Sequence, residues 1–315
     1  MVKKLSVSEV NGIKKSIEEI IKNTDELKNK TAQDTVNQVL RYIESGRLRV
    51  VSPANETASC GAVPMEGELQ NWIVHSWVKE SILLAMKMRV AQTYKIKLFH
   101  SAELVDAVPL DPGRVYAGEF AYHDKFDLQH NLSAKSVRSL PGSLVREGSC
   151  VSKNTILMPS FINIGAWVGE GTMIDTWATV GSCAQVGKNV HVAGGVGIGG
   201  VLEPANARPV IVGDNAFLGS RVILVEGVVV SSGAVLGANV CLTASTPIYD
   251  VTTSEKIEHR GFVPANAVVA MGTRIKTFPG GEVPLQCAYI IAYRSKKTNA
   301  KISLNDILRE TGIPI

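Results

Sequence analysis

Asp175 is the acidic residue with the clearest setting for chemistry. It stands in the run Gly171-Thr172-Met173-Ile174-Asp175-Thr176-Trp177-Ala178-Thr179-Val180, directly after an aliphatic residue and at a place where this chain usually puts glycine. An outward aspartate is ordinarily a solvated turn residue. Trp177, two positions on in a chain with only 6% aromatic residues, favours a carboxylate partly withdrawn from water. Such a carboxylate can hold enough proton affinity to serve as a general base. Glu203, in Leu202-Glu203-Pro204, and Glu226, in Leu224-Val225-Glu226-Gly227, are weaker candidates for the same task and suit structural roles about as well. His191 offers an imidazole that could act as base toward a hydroxyl, although a surface or interface histidine is the plainer reading. It has no histidine neighbours in its part of the chain, so the three convergent imidazoles of a catalytic zinc site are not available. The run Gly194-Gly195-Val196-Gly197-Ile198-Gly199-Gly200 lacks the strand–turn–helix setting of a dinucleotide fold. Gly195, Gly197 and Gly199 fit better as a smooth wall on which a slim ligand lies against the backbone.

These residues need a rigid frame, and the sequence supplies one. An aliphatic residue returns every sixth position at Ile156, Ile162, Val168, Ile174, Val180, Val186, Val192 and Ile198. The pattern resumes at Val212, Leu218, Leu224, Val230, Leu236 and Leu242. A small or β-branched residue precedes most of them by two places, and glycine often follows. This period is neither helical nor that of a lone strand. It predicts a parallel β-helix of hexapeptide repeats, in which three hexads close one triangular coil and the aliphatic residues point inward. Asp175 then projects from an edge of the prism, where a neighbouring subunit would pack. The interruption after Ile198 predicts a loop extruded from one corner over about 200–210, carrying Glu203.

The rest of the chain divides around this core. Residues 1–150 are expected to form a helical and mixed α/β domain, 151–246 the β-helix, and 247–315 a C-terminal segment of strands and a helix. Helices are predicted over residues 8–28, 31–45 and 76–90, with Trp72 and Trp77 as packing residues at the start of the third. Strands are predicted at 262–271 and 285–293, and a short helix at 303–310. The irregular stretch 91–155 is read as a small mixed unit leading into the first coil. The low aromatic share suits a thin aliphatic interior. A net charge of +4 suits anionic small molecules and is too weak and dispersed to argue for nucleic acid. Five scattered cysteines without CxxC spacing read as reduced thiols in a cytoplasmic protein. Neither a signal peptide nor a membrane span is expected.

Asn154-Thr155-Ile156-Leu157-Met158-Pro159-Ser160, then Ile162 to Ala166, Gly171 to Gln185, Val186 to His191 and Val201-Leu202-Glu203-Pro204 together closely resemble the 2,3,4,5-tetrahydropyridine-2,6-dicarboxylate N-succinyltransferases. The likeness is nearly continuous over about 150–242, and Asp175-Thr176-Trp177-Ala178-Thr179-Val180-Gly181-Ser182-Cys183-Ala184-Gln185 is far more specific than a generic hexad. The resemblance implies a left-handed β-helix and a homotrimer with active sites in grooves between prisms. It also implies succinyl-CoA as co-substrate, no metal, and a role in lysine and diaminopimelate synthesis. The family's substrate-binding arginine falls on Arg138 and its catalytic or substrate-binding aspartate on Asp175. Arg221 is a second guanidinium suited to the acceptor's carboxylates. The family's second proposed acid falls on Ile223, a departure for which Glu226 or Glu203 are possible substitutes. The donor's arm is expected beside the glycine run, and Arg294, Lys296 and Lys297, with Lys301, are a basic cluster for its phosphates. Two other readings stay open: an acetyl-CoA-dependent O- or N-acyltransferase with His191 as base, and a non-catalytic trimeric binding module.

Overall fold

A computed structural model describes residues 5–53, 63–64, 72–99, 117–130, 132–255 and 257–294. Its centre is a three-sided prism of parallel two-residue strands. The first face stacks Leu144–Val145, Phe161–Ile162, Thr179–Val180, Gly197–Ile198, Ile223–Leu224 and Cys241–Leu242. The second stacks Cys150–Val151, Trp167–Val168, Gln185–Val186, Ile211–Val212, Val229–Val230 and Phe262–Val263. The third runs from Arg138–Ser139 through Ile156–Leu157, Met173–Ile174, His191–Val192, Phe217–Leu218 and Val235–Leu236 to the start of a long strand, Ala267–Phe278. From Val145 onward, the second residue of each coil strand points inward. These residues form one aliphatic core with the small residues two places earlier, such as Ala166, Ala178, Ala184, Val196 and Val222. Stacking gives every strand inside a face two ladder partners and those at its ends one, so the apolar stripe is buried only because several coils are present.

Two details differ from the hexad reading. Ile156 is not inward; Leu157 is, in register with Ile174, and Ile156 stands outward opposite Met173. The next inward residue, Ile162, follows after a shortened turn through Met158-Pro159-Ser160, whose Pro159 carbonyl accepts the Trp177 amide at 2.6 Å. The parallel ladders also begin at Arg138, ahead of the expected start at 151, because Val145 and Val151 already fill inward places.

The N-terminal part covers the second face. Helix α1 (Val7–Lys22) opens on a capping box in which Ser6 and Glu9 satisfy each other's backbone amides. It ends earlier than expected, passing into a 3-10 turn, Thr24–Lys28. Helix α2 (Lys30–Glu44) is capped by Asn29, and helix α3 (Ser76–Met88) follows a short strand, Trp72–Val74. Leu40, Ile43, Trp77 and Ile82 join one core with Ile164, Cys183, Ile211 and Val229 of the prism. Arg49 fastens the seam, its guanidinium 4.2 Å above the Trp167 ring and its Nε donating to Gln185 Oε1 at 3.2 Å. Arg89 grips Glu147 with both terminal nitrogens, at 2.6 and 2.8 Å. The stretch expected to be irregular contains an antiparallel pair, Gln92–Phe99 with Ala117–Asp124.

At the other end, Ala267–Phe278 leaves the third face and folds back with Gly281–Tyr293 as a long hairpin, and Tyr249 beside that hairpin lies in a second parallel pairing. The expected strands at 262–271 and 285–293 are parts of these longer elements. The expected helix at 303–310 lies outside the described residues. Among the described residues no helix is long and apolar enough to cross a membrane.

Candidate active site

The corner between the third and first faces carries the strongest chemical residues. Each turn there places its third residue in a column linked by backbone hydrogen bonds. Gly195 N donates to Thr176 O at 2.9 Å, Arg221 N to Gly194 O at 3.0 Å, and Asn239 N to Ser220 O at 3.0 Å. The column needs left-handed backbone, and Gly195, at φ +70°, adopts it without cost. Trp177 at +61° and Arg221 at +59° do not. Bulky residues held in this region are uncommon and concentrate at functional sites. Trp177 is 76% exposed, a large apolar surface held outward from the prism edge.

Asp175 begins the same turn as Trp177 and is half-buried. Its Oδ1 accepts from the Thr176 amide at 2.6 Å and from Thr176 Oγ1 at 3.2 Å. Among the described residues Oδ2 takes no hydrogen bond, so one oxygen is fixed by its own turn and the other is left without a partner there. Arg221 lies two coils further along, its side-chain stem packed on Gly195: a Cβ added there would sit 3.2 Å from Arg221 Cγ. Arg138 lies two coils in the other direction, exposed on the outward row Arg138, Ile156, Met173, His191, Phe217. The Arg221 guanidinium folds back over Gly195, its Cζ 3.9 Å from a Cβ added there, which brings it within one coil of the Asp175 turn. The Arg138 backbone lies two coils away, about 10 Å along the axis at about 4.8 Å per coil. Among the described residues neither guanidinium has an acidic partner.

The first face forms the strip beside this corner, with Thr179, Gly197 and Ile223 in line on its outward row. Ile223 is 37% exposed and lies over Gly197, where an added Cβ would come within 2.8 Å of Ile223 Cδ1. Gly199 is required by the next coil, since its Cβ would sit 3.0 Å from the Leu224 carbonyl oxygen. Each of the three glycines singled out in the sequence thus has a reason within the coil itself.

Glu203 and Glu226 belong to the opposite edge of the first face. Glu203 is exposed in the extruded loop, which leaves the coil after Ile198 and rejoins it before Ile211. Glu226 Oε2 accepts from the Ala244 amide at 3.2 Å, tying it to the turn below. Neither carboxylate joins Asp175 at its corner. His191 is stacked on Phe217, with ring centroids 5.1 Å apart, in the outward row of the third face. Arg294 Nη1 donates to the carbonyls of Asn215 and Gly233 at the third corner. Lys296, Lys297 and Lys301 lie outside the described residues.

One residue escaped the sequence reading altogether. Lys79 of α3 is fully buried beneath the extruded loop. Its place three residues before Ile82, on the buried side of a helix, was the available signal.

Two family models match the chain: the N-terminal part of tetrahydrodipicolinate N-succinyltransferase over residues 12–88, and the hexapeptide repeat of succinyl-transferase over 209–244. The chain is similar to 2,3,4,5-tetrahydropyridine-2,6-dicarboxylate N-succinyltransferase of Sodalis glossinidius, with 40% identity over 279 residues, covering 89% of this chain and 90% of that one. It is 41% identical over 283 residues to the protein of that name from Acinetobacter baylyi, covering 88% and 89%. The protein of that name from Parvibaculum lavamentivorans is 38% identical over 309 residues, covering 96% and 99%.

Proposed function

The chain belongs to the 2,3,4,5-tetrahydropyridine-2,6-dicarboxylate N-succinyltransferase family, and on that premise we propose that its Asp175 corner transfers a succinyl group from succinyl-CoA to the ring nitrogen of the hydrated cyclic acceptor. After acylation the ring hemiaminal opens: its C–N bond breaks, the hydroxyl oxygen becomes a ketone and its proton ends on the amide nitrogen. The products are thus N-succinyl-2-amino-6-oxopimelate and CoA, a step of lysine and diaminopimelate synthesis. The observation that carries the residue-level reading is Asp175 itself, with one oxygen anchored to Thr176, the other unengaged among the described residues, and on both sides an arginine that has no acidic partner among those residues.

The chemistry follows from what acylation of an amine requires. The nitrogen lone pair attacks the thioester carbonyl, the tetrahedral oxyanion collapses, and the CoA sulfur leaves as thiolate. The nitrogen must also lose its proton, and Asp175 Oδ2 takes it. The Thr176 bonds to Oδ1 fix the carboxylate's direction, and general-base assistance of this kind is worth about 10²–10⁴-fold. Arg221 and Arg138 bind the acceptor's two carboxylates, since a guanidinium fork grips a carboxylate in two places. Holding amine and thioester together contributes roughly 7–11 kcal/mol in favourable cases.

The donor's pantetheine arm lies along the first face over Gly195, Gly197 and Gly199, with the loop carrying Glu203 as its far wall. Arg294 and the basic residues after it, Lys296 and Lys297, serve its phosphates. Ile223 presents no acid, so Asp175 is the one acid-base group assigned at this corner. The prism is a left-handed coil that assembles as a cytoplasmic homotrimer, in which a neighbouring copy covers Trp177 and closes the groove. No metal, nucleic acid or membrane takes part.

Steady-state assays with the cyclic dicarboxylate and either succinyl- or acetyl-CoA test the reading. It expects kcat/KM to favour succinyl-CoA by at least tenfold. A preference for acetyl-CoA, or for serine or amino-sugar acceptors, would transfer the chain to another acyltransferase activity. Absence of thioester cleavage with any acceptor would leave a binding module.

A further inference from the structure

The extruded loop is held by a residue of the N-terminal domain. Lys79 Nζ donates to the carbonyls of Pro204 and Ala207, at 3.2 and 2.8 Å, and the residue is 0% exposed. These carbonyls flank a turn closed by Ala207 N donating to Pro204 O at 2.9 Å. On either side the loop is pinned to the coils, by Val201 N to Ser182 O at 3.0 Å and by Arg208 Nε to Gly227 O at 2.6 Å. From Glu203 to Ala207, hydrogen bonds to the rest of the described residues come from Lys79 alone. No carboxylate among the described residues pairs with this ammonium, and burial lowers its proton affinity. A buried cation is costly to folding, and the two carbonyl acceptors offset only part of that cost. An apolar side chain in the same space would pack at less cost, so packing alone does not account for a lysine here.

We propose that Lys79 is a positioning residue for succinyl transfer: it locks the Pro204–Ala207 turn so that the loop stands as a fixed wall of the donor groove. This rests on the reading that the donor's arm lies along the first face between the Asp175 corner and the loop. Locking the loop before the donor arrives lowers the ordering cost of binding it. Lys79 touches no reacting atom, so its loss weakens donor capture and leaves the chemical step alone.

The test compares the intact wild-type enzyme with Lys79→Met under steady-state conditions, varying succinyl-CoA and the cyclic dicarboxylate in turn, with limited proteolysis of both proteins. The expected result is a rise in KM for succinyl-CoA of at least tenfold, with kcat and the acceptor KM within twofold and faster nicking within residues 201–209. A donor KM within twofold of wild type overturns the proposal, whether or not nicking accelerates. A drop in kcat with both KM values unmoved also overturns it, since that is general damage to the fold. Should Lys79→Met not yield folded protein, Pro204→Gly loosens the same turn at an exposed position. A severalfold rise in donor KM then supports the proposal, and an unchanged one overturns it. Failure of the underlying reading is seen separately, as wild-type protein that transfers no succinyl group, and removes the proposal with it.

Discussion

Asp175 and Arg221 occupy the same edge of the prism for related reasons. The turn of Asp175 supplies two donors from Thr176 to one carboxylate oxygen, and the column two coils on turns Arg221 outward over Gly195. Arg221→Ala is expected to raise the KM for the cyclic dicarboxylate about 10- to 150-fold, the equivalent of about 1.5–3 kcal/mol for a charge-assisted hydrogen bond. The donor KM should stay within twofold, and an acceptor KM that does not move would remove Arg221 from the site. Asp175 was legible in the sequence because it breaks a glycine habit beside a rare tryptophan. Lys79 was not, because a lysine in a helix reads as solvated until the fold places a loop above it. Glu226 shows the reverse limit: its carboxylate is used by the backbone of the next turn, which spacing alone does not disclose.

The coil is the element that sets all these positions, and its period was readable because the inward places are almost uniformly aliphatic. The same uniformity hid the slip at Ile156-Leu157. Two adjacent aliphatic residues satisfy the pattern equally well, and only the shortened turn through Pro159 decides which faces inward. Leu157→Ala should therefore cost about 2–5 kcal/mol, as large-to-small changes in a packed core do. Ile156→Ala should cost well below that, and thermal unfolding of the two variants separates them. A larger loss for Ile156→Ala would restore the unbroken hexad register. The hairpin Gln92–Phe99 with Ala117–Asp124 went unread although Tyr94, Ile96 and Leu98 alternate with lysines. Its partner strand is separated from it by a long intervening segment, so no turn signal joined the two.

At the scale of the whole molecule, the three faces have different uses. The N-terminal domain closes the second, the C-terminal hairpin covers the end of the third, and the first runs open between the Asp175 corner and the loop. Burial and the nearby Arg49 guanidinium push the His75 imidazole down to about 4, and its Nε2 lies 2.8 Å from Ser52 Oγ. An unfolded chain protonates this histidine near its ordinary value of about 6.5 while the folded one does not. Stability from His75 is thus present above pH about 6.5 and lost as the pH falls toward 4. His75→Gln should flatten that part of the profile, read as the thermal midpoint between pH 7 and 5. An unaltered slope would show that other groups govern it.

The account turns on Asp175 as the group that accepts the amine's proton, and replacing it with asparagine tests this most directly. Turnover of Asp175→Asn with saturating succinyl-CoA and cyclic dicarboxylate is predicted to fall at least a hundredfold, within the range that general-base catalysis contributes. Donor binding and oligomer mass should be unchanged. Turnover near that of the wild-type enzyme would contradict the account.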